Sequence, residues 1–196
     1  MKKLFLLLSV LIISVITTAC INNFAVQELN NKAQGFMNEG DYQNAIERLK
    51  SSIDLDPSIF ESHYNLAVAY TKAEDYANAI KVYNDAIKLK PDFADTYYSL
   101  AVCEENLASD LINTFVHIDE SGNIVKTAQT DENSTIQEQQ ASEQDKNYAL
   151  ELLKSAVTHY QTYLEKAPDA KDIETVNSKI ELLNQKIEEY SAQEIQ

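Results

Sequence analysis

The spacing of two prolines is the feature that most constrains what this chain can fold into. Pro57 and Pro91 enclose an interval of about 34 residues. The residues between them are apolar at helical spacing, with a polar break at Asp75, a residue type that commonly caps a helix. Proline cannot continue the helix that precedes it, so the chain is expected to turn at Pro91. The interval therefore predicts two helices joined by a tight turn.

The same interval resembles the tetratricopeptide repeat, a family whose unit is a pair of helices in about 34 residues. The matching residues are Leu66, Ala67, Tyr70, Asp75, Tyr76, Ala79, Ile80, Tyr83, Ala86 and Pro91. We assign this repeat to Phe60–Phe93. Ala67 and Ala79 are expected to be small because two helices cross closely there, and Ser58 with Glu61 predicts a capping box.

A first repeat, Val26–Ile59, precedes it at the same period. The matching residues are Leu29, Ala33, Phe36, Gly40, Asp41, Tyr42, Ala45, Ile46, Leu49 and Pro57. Gly40 is predicted to end one helix and Asp41 to cap the next. Ser52 replaces the small apolar residue that is usual in the family.

The third repeat is predicted to be split by an insertion. The matching residues are Tyr97, Leu100 and Ala101 in its first helix, and Ala156, Tyr160, Tyr163, Leu164 and Pro168 in its second. Ala101 and Ala156 correspond to Ala67 and Ala79, but the stretch between them is several times as long, and the excess is the insertion. Two separate degenerate helices are the alternative. Glu104 stands where an aromatic residue is expected.

The inserted segment differs in character from the repeats. Residues 115–118, Phe-Val-His-Ile, and residues 124–125, Ile-Val, flank a polar stretch, which predicts a small β-hairpin. Residues 128–145 are polar and predict a disordered acidic loop or an extension of the following helix. We favour a tolerated surface insertion over a second docking element, because an isolated hairpin is marginally stable.

A last helix is predicted after Pro168, where it would cover the exposed face of the final repeat. Its apolar stripe consists of Ile173, Val176, Ile180, Leu183, Ile187 and Tyr190. An isolated coiled coil is the weaker alternative, because the stripe is short.

The predicted fold class is thus all-α, a tetratricopeptide-repeat solenoid with three repeats, the third split, and a C-terminal capping helix. The predicted segments are a signal peptide (1–19), a lipidated N-terminus and linker (20–25), two repeats with the first helix of the third (26–108), the acidic insertion (109–146), the second helix of the third repeat (147–168) and the capping helix (169–196).

The first twenty residues predict export. A basic start precedes an apolar run, residues 4–16, that is too short to span a bilayer but suits a signal peptide. Residues 17–20 read Thr-Thr-Ala-Cys and resemble a bacterial lipobox. This resemblance implies lipid attachment at Cys20, and an anchor on the periplasmic or extracytoplasmic face of a bacterial membrane. Thr17 departs from the usual leucine, and ordinary cleavage that leaves a free thiol is the alternative.

Charge and composition argue against several functions. The formal net charge of −15 disfavours nucleic acid and anionic lipid headgroups as partners. The three histidines lack metal-ligand spacing, and no phosphate-binding or nucleophile motif occurs, so we predict no enzyme, metal or cofactor. Cys103 is interpreted as a core residue. The acid pairs Glu104–Glu105 and Glu188–Glu189 are interpreted as solvated faces.

The family resemblance implies a concave groove that is lined by the first helix of each repeat and binds extended peptides or partner helices. The predicted groove residues are Asn30, Gln34, Met37, Tyr64, Val68, Thr71, Lys72, Tyr98, Val102 and Glu105. One family branch grips acidic chaperone tails with Lys, Arg and Asn. Only Asn65 matches that set here. The other clamp positions hold Asn30, Gln34, Asp95 and Ser99, so we do not assign that activity.

These inferences predict a membrane-anchored lipoprotein that scaffolds protein–protein contacts in the bacterial cell envelope. The alternative is a solute- or lipid-binding envelope protein that serves a transporter, with the groove or the insertion as its pocket. A stoichiometric protein partner would distinguish the first function from the second.

Overall fold

The computed structural model describes residues 23–127 and 140–193, which form seven helices and one two-stranded hairpin. The elements are α1 (23–39), α2 (Tyr42–Leu55), α3 (Phe60–Lys72), α4 (Tyr76–Leu89), α5 (Ala94–Ile112), β1 (Val116–Ile118), β2 (Ile124–Lys126), α6 (Glu143–Lys166) and α7 (Ile173–Gln193). All three prolines lie in the turns that follow α2, α4 and α6. Proline thus marks helix ends, as its missing N–H requires.

The chain divides at Glu74 into two compact units. The N-terminal unit holds α1 to α3, and the C-terminal unit holds α4 to α7 with the hairpin. The predicted signal peptide and Cys20 lie outside the described residues. No helix within residues 23–127 and 140–193 is both long enough and apolar enough to cross a bilayer.

Helix boundaries in the repeats follow the local sequence. The Asp41 carboxylate accepts from the N–H of Asn44 at 3.2 Å, and Asp75 accepts from the N–H of Asn78 at 3.3 Å. Gly40 has φ +77°, a left-handed conformation that costs glycine little. The N–H groups of Gly40 and of the next residue bond back to carbonyls of α1, which closes a Schellman motif. The predicted helix ends are therefore confirmed.

The predicted capping box at the start of α3 is wrong. No side chain caps this helix, which begins after Ile59. The Ser58 hydroxyl instead donates to Asp56 at 2.6 Å, and the Ser58 N–H donates to the same carboxylate oxygen at 2.9 Å. These bonds lower the pKa of Asp56. Ser58 bonds to Asp56 instead of capping α3, because the carboxylate two residues earlier closes a turn before the helix starts.

The core of the N-terminal unit consists of small and aliphatic side chains from all three helices, completed by two aromatic residues. Its buried apolar members are Val26, Ala33, Ala45, Ile46, Leu49, Phe60, Leu66, Ala67, Ala69 and Tyr70. The alanines predicted to permit close helix approach are fully buried, as Ala67 shows. Burial at helical spacing follows from the repeat pattern.

In the C-terminal unit, α5 packs along α6, and α7 packs on α6. The buried core joins Leu107 and Leu111 of α5 to Leu153 and Tyr160 of α6. Val176 and Leu183 of α7 enter the same core, at 0% and 1% exposure. The apolar stripe predicted for the last helix is therefore confirmed as a packing surface.

The predicted hairpin forms, with Ile118 opposite Ile124 in an antiparallel pair. It is not a peripheral insertion, however, because Val116 and both isoleucines pack against the core of the C-terminal unit. The N–H of Ile118 also donates to Asp145 at 2.8 Å. The expectation of a tolerated surface insertion is therefore corrected. An isolated hairpin is marginally stable, but this one is stabilised by packing against the core.

Asp145 also starts α6, which begins before residue 147. Its backbone N–H donates to Ser142 Oγ at 3.1 Å, and its carboxylate accepts from the Ser142 backbone N–H at 3.3 Å. This capping box extends the helix back into the polar stretch, in agreement with the second of the two alternatives given for it. The rest of that polar stretch, residues 128–139, lies outside the described residues.

Candidate functional site

The N-terminal unit contains a pocket of about 400 Å³. It is lined by Asn30, Ala33, Gln34, Met37, Asn38, Tyr42, Leu49, Asn65, Val68 and Lys72. Most of these residues lie on α1 and α3 at spacings of three and four, which place side chains on one helix face. The pocket brings together five of the ten predicted groove residues, Asn30, Gln34, Met37, Val68 and Lys72.

Asn30 supports the pocket from beneath. Its side-chain nitrogen donates to the carbonyl of Val26 at 3.0 Å, and it lies 2.8 Å from Ser52 Oγ and 2.9 Å from Ser62 Oγ. The two hydroxyls are 2.9 Å apart, and both serines are fully buried. Buried polar atoms need such partners. Asn30 therefore positions α1 against α2 and α3, and its nitrogen is already engaged.

Two of the remaining amide residues, Gln34 and Asn38, are exposed. Gln34 donates to the side-chain oxygen of Asn38 at 3.0 Å in an exposed contact. The side-chain nitrogen of Asn65 donates to the side-chain oxygen of Asn30 at 3.4 Å, a long bond that leaves the side-chain oxygen of Asn65 as an acceptor. Sequence reasoning missed Asn38, although its spacing of four from Gln34 on α1 was visible.

Lys72 supplies the positive charge of this pocket. It is exposed in the last turn of α3, and it forms no salt bridge within residues 23–74, the described part of its unit. Met37 and Val68 add apolar surface beside it. The pocket therefore combines amide groups, a thioether, a branched aliphatic group and one ammonium group.

Two other predicted groove residues in this unit have local contacts. The Tyr64 ring stacks on Phe60 with 5.7 Å between centroids and 24° between planes. The Thr71 hydroxyl donates to the carbonyl of Ala67 at 2.8 Å, within its own helix. Neither residue is among those that line the pocket.

The predicted groove residues of α5 take part in packing inside the C-terminal unit. The Tyr98 ring lies 5.6 Å from that of Tyr160 and 5.2 Å from that of Tyr163. Glu105 accepts from the Tyr160 hydroxyl and from Lys179, each at 3.0 Å. Burial and the charge of Glu105 raise the pKa of Tyr160.

Val102, on the same helix, packs against the core. Sequence reasoning did not find any of these contacts, because their partners lie on α6 and α7, beyond the whole inserted segment.

Glu104 corrects the prediction that the Glu104–Glu105 pair is a solvated face. Glu104 is 3% exposed, and its carboxylate accepts from the Ser155 hydroxyl at 2.7 Å. The other carboxylate oxygen lies 2.8 Å from Nδ1 of His159. The polar residue at the expected aromatic position is thus paired with two polar residues of α6, as burial of a carboxylate demands.

The part of the chain that the structure describes contains no group of three or more His, Cys, Asp or Glu side chains placed to hold a metal ion. Cys103 is fully buried, in agreement with its interpretation as a core residue.

Comparisons with known proteins place these helices in a family context. A model of the tetratricopeptide repeat matches residues 30–106. The second tetratricopeptide-repeat domain of human RPAP3, solved with an HSP70 peptide, has a TM-score of 0.56 at 20% identity. The match covers 82% of this chain and 98% of the RPAP3 chain. The first such domain of Spaghetti (RPAP3), solved with an HSP90 peptide, has a TM-score of 0.54 at 17% identity, with coverages of 83% and 92%.

The corresponding domain of Sgt2 from Aspergillus fumigatus has a TM-score of 0.55 at 14% identity, and covers 85% of this chain and 82% of its own. A search among curated proteins gives no significant match. The family match and these shared folds confirm the predicted all-α repeat architecture. Residues 30–106 therefore match the tetratricopeptide repeat, and the chain shares the fold of solved tetratricopeptide-repeat domains.

Proposed function

We propose that this protein is a membrane-anchored adaptor of the bacterial cell envelope, and that its N-terminal unit binds an extended segment of a partner protein. The observation that carries the proposal is the pocket of α1, α2 and α3, where amides, apolar groups and one cation converge. Solved relatives with this fold bind peptides, as the human RPAP3 and Spaghetti domains do.

The amides suit an extended backbone. Each residue of such a segment presents an N–H and a C=O that need partners. Gln34, Asn38 and Asn65 each carry both a donor and an acceptor, so they can bond to backbone of any sequence. Met37 and Val68 would contact one apolar side chain of the segment, and methionine adapts to varied shapes.

Lys72 limits the acidity of the segment. The peptides bound by the RPAP3 and Spaghetti domains, SGPTIEEVD and SRMEEVD, each contain three acidic residues. This pocket offers one lysine, and the whole chain carries a net charge of −15. Like charges repel across an interface, so we propose a segment with a single carboxylate at Lys72. We expect SRMEEVD itself to bind at least ten-fold more weakly than a variant with glutamines at both glutamates.

The test is site-specific photo-crosslinking in cells. A benzophenone amino acid at Met37 or Val68 should give one discrete adduct, whereas the same probe at the exposed residue Asp54 of α2 should not. Lys72→Ala should reduce the adduct yield. The matched control is Lys32→Ala, because Lys32 is exposed on α1 and pairs with Glu28 at 2.7 Å. Equal adducts from Asp54, or none from the pocket positions, would contradict the proposal.

Anchoring rests on the lipobox resemblance at Cys20 and is tested separately. Cys20→Ala should move the protein from the membrane fraction to a soluble or unprocessed form, because two or three acyl chains anchor firmly. Intact mass of the mature protein should show the added lipid. A free thiol on Cys20 would refute the anchor and leave the adaptor proposal standing.

A further inference from the structure

A second pocket lies in the C-terminal unit, between α4, the hairpin and the helices beneath them. Its volume is about 550 Å³. It is lined by Asp75, Ala77, Asn78, Ile80, Lys81, Leu107, Ile118, Gly122, Asn123, Ile124, Gln144 and Tyr148. None of the predicted groove residues lines it, so it is a different site from the pocket of the N-terminal unit.

The apolar part of this pocket is formed by α4, α5 and the hairpin. Leu107 of α5 is 2% exposed and forms part of the core. Ile80 of α4 and the facing pair Ile118 and Ile124 of the hairpin are half-buried and pack against that core. The hairpin wall is held in place by the bond from Ile118 to the buried Asp145. The insertion therefore creates a fixed concave surface.

The rim is polar, and Lys81 is the cation that the described residues contribute to it. Lys81 is exposed and forms no salt bridge within residues 75–127 and 140–193. The Asp75 carboxylate is directed to Asn78, whose side chain donates to it at 2.8 Å. Burial, and then the charge of Glu104, raise the pKa of Tyr148, so its hydroxyl remains a donor at neutral pH.

We propose that this pocket binds a small amphipathic carboxylate, with its apolar body over Ile80, Leu107 and Ile118 and its carboxylate at Lys81. The proposal goes beyond partner binding by the N-terminal unit. The volume lies in the range of about 300–1,000 Å³ that is typical of small-molecule sites, which pair apolar walls with a few polar groups. Lys81 would pair with one carboxylate, whereas the net charge of −15 disfavours ligands that carry several negative charges.

Octanoate is the probe that tests this assignment. It is titrated into the purified full-length protein while ¹H–¹⁵N spectra are recorded. We expect saturable shifts of the Ile80, Ile118 and Ile124 amides. Octylammonium, which has the same chain length and the opposite charge, should bind at least ten-fold more weakly. Lys81→Gln should weaken octanoate binding at least ten-fold, a loss of about 1.4 kcal/mol.

Two controls separate this site from its surroundings. Lys88→Gln alters an exposed lysine of the same helix, which pairs with Asp85 at 2.7 Å, and should leave octanoate binding unchanged. Lys72→Gln should also have no effect, although it is expected to impair partner capture by the N-terminal unit. Equal binding of octanoate and octylammonium, no effect of Lys81→Gln, or shifts confined to α1 and α3 would overturn the proposal.

Discussion

The buried polar cluster of Glu104, Ser155 and His159 gives a prediction whose sign depends on how the cluster is changed. We expect His159→Ala to destabilise the C-terminal unit and a fully apolar triple variant, Glu104→Met with Ser155→Ala and His159→Leu, to be neutral or stabilising. The single change leaves a carboxylate with 4% side-chain exposure facing one remaining donor. The triple change removes every group that needs a partner.

The magnitudes follow from burial. Removing a hydrogen-bond partner from a buried charged group costs about 1.5–3 kcal/mol, because the group is left without that partner. The His159 side chain is 22% exposed, so water can partly replace it, and we expect His159→Ala to cost about 2 kcal/mol. Ser155→Ala removes one bond to the same carboxylate and should cost about 1–2 kcal/mol. The triple variant should be within about 1 kcal/mol of the parent protein, or more stable.

The assay is urea unfolding combined with hydrogen exchange of the α5 and α6 amides. Exchange reports the C-terminal unit directly, so unfolding of the N-terminal unit does not confuse the result. The matched control is Lys154→Ala, because Lys154 is an exposed α6 residue that pairs with Glu151 at 3.3 Å. That change should alter stability by less than about 0.5 kcal/mol.

Two outcomes would refute the reasoning. A loss of less than about 0.5 kcal/mol in His159→Ala would mean that water solvates Glu104 in the native protein. A triple variant less stable than His159→Ala would mean that the polar contacts also fix the packing of α5 on α6.

Three further predictions concern stability. Thr114 has φ 59° at the end of α5, where glycine fits better, so Thr114→Gly should raise the free energy of unfolding by about 1 kcal/mol, and a loss in urea unfolding would contradict this. Burial, and then the hydrogen bond to Asp172, raise the pKa of Tyr163 from 10.0 to about 12. The protonated phenol's contribution to stability is complete below pH 10 and is lost as the pH rises through about 12. Tyr163→Phe should therefore reduce the fall of the unfolding midpoint over this pH range, and an unchanged pH dependence would count against the prediction. Ala67 is fully buried, so Ala67→Leu should overpack and cost about 1–3 kcal/mol by thermal unfolding, whereas an unchanged midpoint would place the repeat register in error.

The sequence alone determined the features that depend on neighbours within a few positions. The caps at Asp41 and Asp75 and the left-handed Gly40 form as predicted, because each is completed by atoms of the adjacent turn. The repeat period and the apolar stripe of α7 were equally visible, since helical periodicity records which face is buried. The resemblance to the tetratricopeptide repeat followed from the same local patterns.

The tertiary structure decided what each side chain meets across a helix interface. The sequence predicted Glu104 to be a surface acid, because its partners Ser155 and His159 lie far along the chain, on α6. Asn30 was predicted to face a groove, yet its nitrogen contacts two serines on other helices. The hairpin is stable because α6 supplies Asp145 and the core supplies a surface for Ile118. Burial is a property of the assembled unit, so a residue's own sequence neighbourhood does not determine it.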